Sequence, residues 1–155
     1  MDPARASLRL ERRIEWADTD ASGHWHNTAA LRFVEWAERI LLDRLGLLED
    51  SYGRMPRVHI TVDFRLPLRF NELAEIVLEI IEVGRTSVTY RADISRGGEI
   101  AAQLCFVAVL RGDDGRPTAW AEETRRLLTT AGPQVPELLP SPTHDGPGTR
   151  RLPRP

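Results

Sequence analysis

The spacing of apolar positions changes once in the first third of the chain. Leu8, Leu10, Ile14 and Trp16 alternate with Arg9, Glu11, Arg13 and Glu15, a period of two that predicts a strand with one face on a core. From Asn27 to Leu45 the period lengthens. Ala30, Phe33, Val34, Ala37, Leu41 and Leu45 recur at three and four residues, with Arg32, Glu35, Glu38, Arg39 and Asp43 mostly on the other side, which predicts a helix of about five turns. Asn27 or Thr28 can cap its first N–H groups, and Gly46 stands where a left-handed residue ends a helix. After a polar loop from Glu49 to Pro56, Val58, Ile60, Val62, Phe64 and Leu66 alternate with His59, Thr61, Asp63 and Arg65 until Pro67 interrupts.

Three further strands are expected at Glu75 to Val83, Thr86 to Ser95 and Glu99 to Arg111. Their short connections at Gly84-Arg85 and Gly97-Gly98 make them antiparallel neighbours. The Glu99 to Arg111 run is apolar in both phases, the mark of a central strand covered on both faces. Asp113-Asp114-Gly115 turns into a short strand around Pro117 to Trp120, and Ala121 to Thr130 reads as a terminal amphipathic helix. Strand, long helix, then four or five antiparallel strands is the order of an α+β two-layer domain.

Composition narrows the picture. The 155 residues are 41% hydrophobic and 28% charged, the balance of one folded domain. Residues 1–131 form that domain, and 132–155, with seven of the eleven prolines, read as a flexible tail. That tail ends in a basic Arg150-Arg151…Arg154 stretch, which gives it a second reading as a docking peptide. A net charge of −2 offers no field to recruit nucleic acid. No long apolar run or leader-like start is present, so no membrane association and a cytoplasmic location are expected. All 21 basic residues are arginine, which excludes lysine nucleophiles and Schiff bases, and the single Cys105 can build neither a disulfide nor a thiolate metal site.

The chemistry concentrates between the first strand and the helix. Trp16-Ala17-Asp18-Thr19-Asp20-Ala21-Ser22-Gly23-His24-Trp25-His26-Asn27 carries two carboxylates, two imidazoles, two indoles and an amide just before a helix N-terminus. Each alone has an ordinary explanation: Asp18 and Asp20 as turn residues, the histidines as half-buried polar groups, Asn27 as a cap. Together they place a carboxylate, Asp20, within reach of unsatisfied helix N–H groups that can polarise a carbonyl, which is equipment for acyl transfer. No Gly-x-Ser-x-Gly elbow is present. His24-x-His26 with an aspartate falls short of a metal site, so neither a metal nor a cofactor is expected.

Asp18-Thr19-Asp20-Ala21-Ser22-Gly23-His24-Trp25-His26-Asn27, followed by Leu31-Arg32-Phe33-Val34-Glu35-Trp36-Ala37, resembles the loop and long helix of hotdog-fold thioesterases of the 4-hydroxybenzoyl-CoA thioesterase type. The likeness continues through Val62-Asp63-Phe64-Arg65-Leu66-Pro67-Leu68-Arg69-Phe70, Gly84-Arg85-Thr86-Ser87 and Gly115-Arg116-Pro117, about residues 8 to 130 in all. It implies a long central helix wrapped by a curved antiparallel sheet of five to six strands, homodimers joined edge to edge, dimers of dimers, and active sites at the dimer interface.

The resemblance further implies hydrolysis of an acyl thioester of coenzyme A or of an acyl carrier protein. Asp20 is then the nucleophile or general base, and the Asn27 N–H polarises the carbonyl. Trp16, Gly23, His24, Trp25 and His26 shape the substrate site. Arg85 is the first candidate for a phosphate contact, with Arg57, Arg65, Arg69 and Arg91 behind it.

Two positions depart from the family's pattern. Asn71-Glu72 stands where Gly-Asp is common, and Trp25 is bulkier than the usual small aliphatic residue. Another hotdog branch takes its carboxylate from the helix, which puts Glu35 and Glu38 forward, although solvated or ion-paired roles suit them better. Hydratase or dehydratase chemistry on acyl thioesters, and non-catalytic acyl-thioester binding, are the alternatives.

Overall fold

The computed structural model describes residues 3–139. The elements run β1 (Ser7–Arg13), α1 (Asn27–Arg44), α2 (Leu48–Ser51), β2 (Arg57–Phe64), β3 (Leu73–Val83), β4 (Ser87–Arg96), β5 (Glu99–Val109), α3 (Glu122–Thr130) and β6 (Glu137–Leu138). One six-stranded sheet has the order β2-β5-β4-β3-β1-β6. The sequence led us to expect an antiparallel sheet, but this one is mixed, because β6 pairs parallel to β1 through Leu10–Glu137 and Glu11–Leu138.

Helix α1 lies on one face of the sheet, and the helical spacing predicts that face correctly. Ala29, Ala30, Phe33, Val34, Ala37, Leu41 and Leu42 are buried. Against them the sheet presents Leu8, Leu10, Ile76, Leu78, Tyr90, Ile94, Leu104 and Phe106, also buried. Removing side chains of this size from water stabilises by about 1.5–3 kcal/mol each. Leu45 caps the C-terminus and Gly46 follows with φ 71°, the left-handed conformation that a residue without Cβ takes most easily.

The N-terminal cap differs from expectation. His26, and not Asn27 or Thr28, is the capping residue, its Nδ1 accepting the Thr28 N–H at 3.1 Å. A short helix interrupts the loop expected at Glu49 to Pro56. The strand expected at Pro117 to Trp120 is reduced to a single bridge between Arg111 and Pro117.

Among the described residues, strand β5 is buried on one face and half-buried on the other. Ala102, Leu104, Phe106 and Ala108 are buried, while Gln103, Cys105, Val107 and Val109 on the other phase are half-buried. Strand β2 is more exposed still. Ile60, Val62 and Phe64 pair with Phe106, Leu104 and Ala102, so they share the helix-facing side of the sheet, yet Ile60 is 43% and Phe64 47% exposed. α1 leaves this sheet edge uncovered.

Backbone pairing continues past residue 131, the expected domain end. Gly132 N–H bonds Ala4 C=O, Gln134 N–H bonds Ser7 C=O and Leu139 N–H bonds Glu11 C=O. The rest of the expected tail, including Arg150, Arg151 and Arg154, lies outside the described residues.

Candidate active site

Between β1 and α1 the chain makes two tight features in succession. Glu15 and Asp18 exchange side-chain and backbone hydrogen bonds as a capping box around a 3₁₀ turn at Trp16–Asp18. That turn ends the alternation and carries Trp16 off the strand. Trp16, expected to help shape the acyl pocket, is 72% exposed, stacks on Phe70 at 4.3 Å between ring centres, and does not line the cleft that this chain forms by itself.

Asp18 is the buried carboxylate of the loop. One carboxylate oxygen accepts the Glu15 N–H at 2.8 Å, and the other lies 3.4 Å from Arg32 and 3.7 Å from Arg12. Its carbonyl accepts the His26 N–H at 2.6 Å. Asp18 therefore ties β1, the loop and the start of α1 together.

Residues 19–25 then close a small hairpin. Thr19 bridges Trp25, the Asp20 N–H bonds His24 C=O at 3.0 Å, and Gly23 turns the tip with φ 82°. The hairpin is held against the segment after β2: the Trp25 N–H bonds Leu68 C=O at 2.7 Å, and His24 bridges Arg69. Behind it, Asn71 has φ 69°, so it fills the left-handed position where the family commonly has glycine; asparagine adopts this conformation more readily than most residues.

These contacts build a cleft of about 510 Å3 lined by Asp20, His24, Trp25, His26, Asn27 and by Phe64 to Pro67. Asp20 and Asn27, seven residues apart in sequence, thus face one space. His24, Trp25 and His26 also line it, and Gly23 supplies the turn without lining it. Within the chain Arg85 lies elsewhere, in a recess with Gly84, Trp120 and Arg125. Of the five candidate arginines, Arg65 is the one on the cleft. Arg57 is paired with Glu38 and Arg91 with Glu79.

Phe64, Leu66 and Pro67 also line the cleft, and the sequence does not mark them as site residues. No local signal could have found them, because only the long-range pairing of 24–25 with 68–69 brings them to the loop.

Asp20 is exposed, and its Oδ1 accepts two bonds from Ser22, one from the hydroxyl at 2.5 Å and one from the N–H at 2.8 Å. The Ser22 hydroxyl, then the Ser22 N–H, hold the Asp20 carboxyl below its ordinary value of 3.8, and His26 and His24 add smaller favourable charge. Ser22 Oγ is also 3.4 Å from His24 Nδ1. The serine sits between carboxylate and imidazole, so this is not the order of a serine hydrolase triad, where the imidazole sits in the middle.

At the helix start, His26 takes the N–H of Thr28 through its side chain and that of Ala29 through its carbonyl, at 3.1 and 2.9 Å. Neither bond uses the N–H of Asn27. An ionised carboxylate facing a helix-start amide can attack or activate water against a carbonyl held on that amide. Among the described residues no group of three or more His, Cys, Asp or Glu is placed to hold a metal ion, and no helix is long and apolar enough to cross a membrane.

The helical carboxylates are placed differently from each other. Glu35 is exposed, while Glu38 is buried and bonded to Arg57 of β2, not to an arginine on its own helix. Neither lines the cleft with Asp20.

One long helix against one face of a six-stranded sheet, with a cleft where that helix begins, defines an α+β protein of hotdog type. The Thioesterase superfamily model matches residues 22–102, more than half of the chain, and the chain belongs to that superfamily. Solved structures agree in fold. A thioesterase from Thermus thermophilus complexed with coenzyme A and Zn is 24% identical, with 77% of this chain and 90% of that one covered at a TM-score of 0.71. A 1,4-dihydroxy-2-naphthoyl-CoA thioesterase from Synechocystis is 18% identical over 79% and 95% of the two chains, TM-score 0.71. A 4-hydroxybenzoyl CoA thioesterase mutant complexed with 4-hydroxybenzoyl CoA is 19% identical over 79% and 99%, TM-score 0.71. No curated protein matches the chain.

Proposed function

We propose that the protein hydrolyses an acyl thioester of coenzyme A or of an acyl carrier protein, in the manner of the 4-hydroxybenzoyl-CoA thioesterase type. The observation that carries this reading is that Asp20 and the Asn27 end of α1 line one cleft, while the helix cap uses the neighbouring amides. The superfamily membership supports it, as do structural relatives whose ligands are coenzyme A and an acyl-CoA.

In the reaction, the thioester oxygen accepts the Asn27 N–H, and negative charge building on that oxygen is stabilised by the helix start. Asp20 either attacks the carbonyl carbon, expelling the thiolate and leaving an anhydride that water opens, or takes a proton from the water that attacks. In both routes the C–S bond breaks, a C–O bond forms, and the thiolate is protonated to the free thiol.

Thiol release from a panel of acyl-CoAs and acylated carrier proteins tests the reading. Loss of enoyl absorbance without thiol release would replace it by hydratase chemistry, and saturable binding with no turnover by a receptor role.

The ionisation of Asp20 adds a pH test. The active form is the carboxylate, and Ser22 keeps it ionised to lower pH than usual. The acid limb of kcat/KM for the wild type is expected below the ordinary carboxylate range, and Ser22→Ala is expected to move it to higher pH. An acid limb unmoved by that change would remove Asp20 from the titration.

The active unit in this reading is a homodimer joined through β2, the uncovered edge that exposes Val58, Ile60 and Phe64. Light scattering on a sizing column is expected to give twice the chain mass, or four times where dimers pair, and Ile60→Arg to lower it by at least half. A wild type that elutes as a monomer at micromolar concentration would refute the dimer.

A further inference from the structure

We propose that Trp25 is the specificity-determining residue of the cleft, a fixed wall that limits the acyl group to one aromatic ring or a chain of similar reach. The inference rests on the thioester reading above and deepens it.

Trp25 is the one cleft-lining side chain that also belongs to the hydrophobic core, only 7% exposed. Its indole lies between two elements: Phe33 of α1 at 6.2 Å, and Phe64 of β2 edge-on at 5.9 Å with the planes at 89°. Edge-on contacts of this kind add to the burial they accompany. The Arg12 guanidinium covers Phe33 at 4.5 Å from its ring centre, and the Trp25 backbone is pinned at Leu68. The indole is thus held between α1 and β2, with its backbone fixed to the segment that follows β2.

The placement of polar and apolar lining sets the direction of the substrate. The carbonyl belongs at Asn27 and Asp20, so the acyl group extends over the apolar lining, namely Trp25, Phe64, Leu66 and Pro67. A longer chain would continue between α1 and β2 only through the space the indole fills. Close-packed interiors do not open by a methylene at a time without strain. A flat aryl group, in contrast, can stack on or meet the edge of the same aromatic wall.

The test uses the full chain and acetyl-, butyryl-, benzoyl-, decanoyl- and palmitoyl-CoA. For the wild type, kcat/KM is expected to fall by about tenfold or more from butyryl and benzoyl to decanoyl, a size that pocket discrimination commonly reaches. In Trp25→Val, decanoyl-CoA is expected to gain about tenfold relative to benzoyl-CoA. Equal rates on long and compact donors in the wild type, or a uniform loss in the variant, would overturn the proposal.

Because Trp25 is a core residue, Trp25→Phe with circular dichroism provides the same comparison if the valine variant does not fold. Dissociation constants of the same CoA series for Asp20→Asn, alone and with the Trp25 change, read the wall without turnover. Compact donors binding tighter, with the preference narrowed by the Trp25 change, would uphold it even where no thiol is released and the hydrolase reading fails. Length-independent binding would overturn it.

Discussion

Asp20→Asn is expected to lower thiol release by roughly a thousandfold or more while KM changes little, the scale on which loss of a nucleophile or a transition-state contact is felt. The substitution keeps the shape of the side chain and leaves an oxygen to accept from Ser22, so the hairpin survives. Asp20 lies on the surface and carries none of the core, and circular dichroism and the unfolding midpoint should match the wild type. Residual activity within tenfold of wild type would move the chemistry to another group. A variant that loses its fold along with its activity would mean that Asp20 acts through the loop, not on the substrate.

The second large effect lies far from the cleft. Glu38 is buried on α1, its carboxylate bonded to Arg57, whose guanidinium also sits over the Phe106 ring at 4.7 Å; the buried hydroxyl of Tyr90 lies beside them. Burial raises the Glu38 carboxyl above its ordinary value of 4.5 despite the pull of Arg57. A carboxyl raised in the folded state contributes stability that is complete below about 4.5 and is lost as pH rises through its folded value.

Arg57→Ala takes away the favourable charge beside the carboxyl and raises that folded value further. Its cost is expected to be about 3 kcal/mol at pH 7, in the range for an uncompensated buried charge, and smaller at pH 5, where the carboxyl is nearer neutral. Denaturant unfolding at the two pH values measures it. Glu38→Gln should cost less than Arg57→Ala at pH 7 and remove the pH dependence, whereas a loss from Arg57→Ala that is equal at both pH values would contradict this account.

What the sequence disclosed, and what it hid, follows from the range of the interactions. The start of α1, its buried stripe and the four later strands were legible because period and turn residues are local. The loop from Asp20 to Asn27 was legible as a candidate site because its chemistry is contiguous. The position of Trp16 was hidden because it continues the alternation of β1, and only the Glu15–Asp18 capping box diverts the chain. Glu38 looked like one more surface helix charge, since its partner lies on β2 and no i,i+4 rule names it.

The alternation in β2 was read correctly as two faces. It could not tell that α1 stops short of one of them. Arg65 was outranked by Arg85 for the same reason: a turn motif is visible in a sequence, but which turn borders the cleft is decided by pairing between residues more than forty positions apart.

The backbone bonds that join Ala4 and Ser7 to Gly132 and Gln134 have a practical consequence. They bring the early and late segments of the described chain side by side at the β1–β6 edge, while β2 forms the opposite edge. Across six strands that separation is five spacings of roughly 4.8 Å, or about 24 Å. A fluorophore or a fused domain attached at either segment would therefore sit away from β2 and its apolar face.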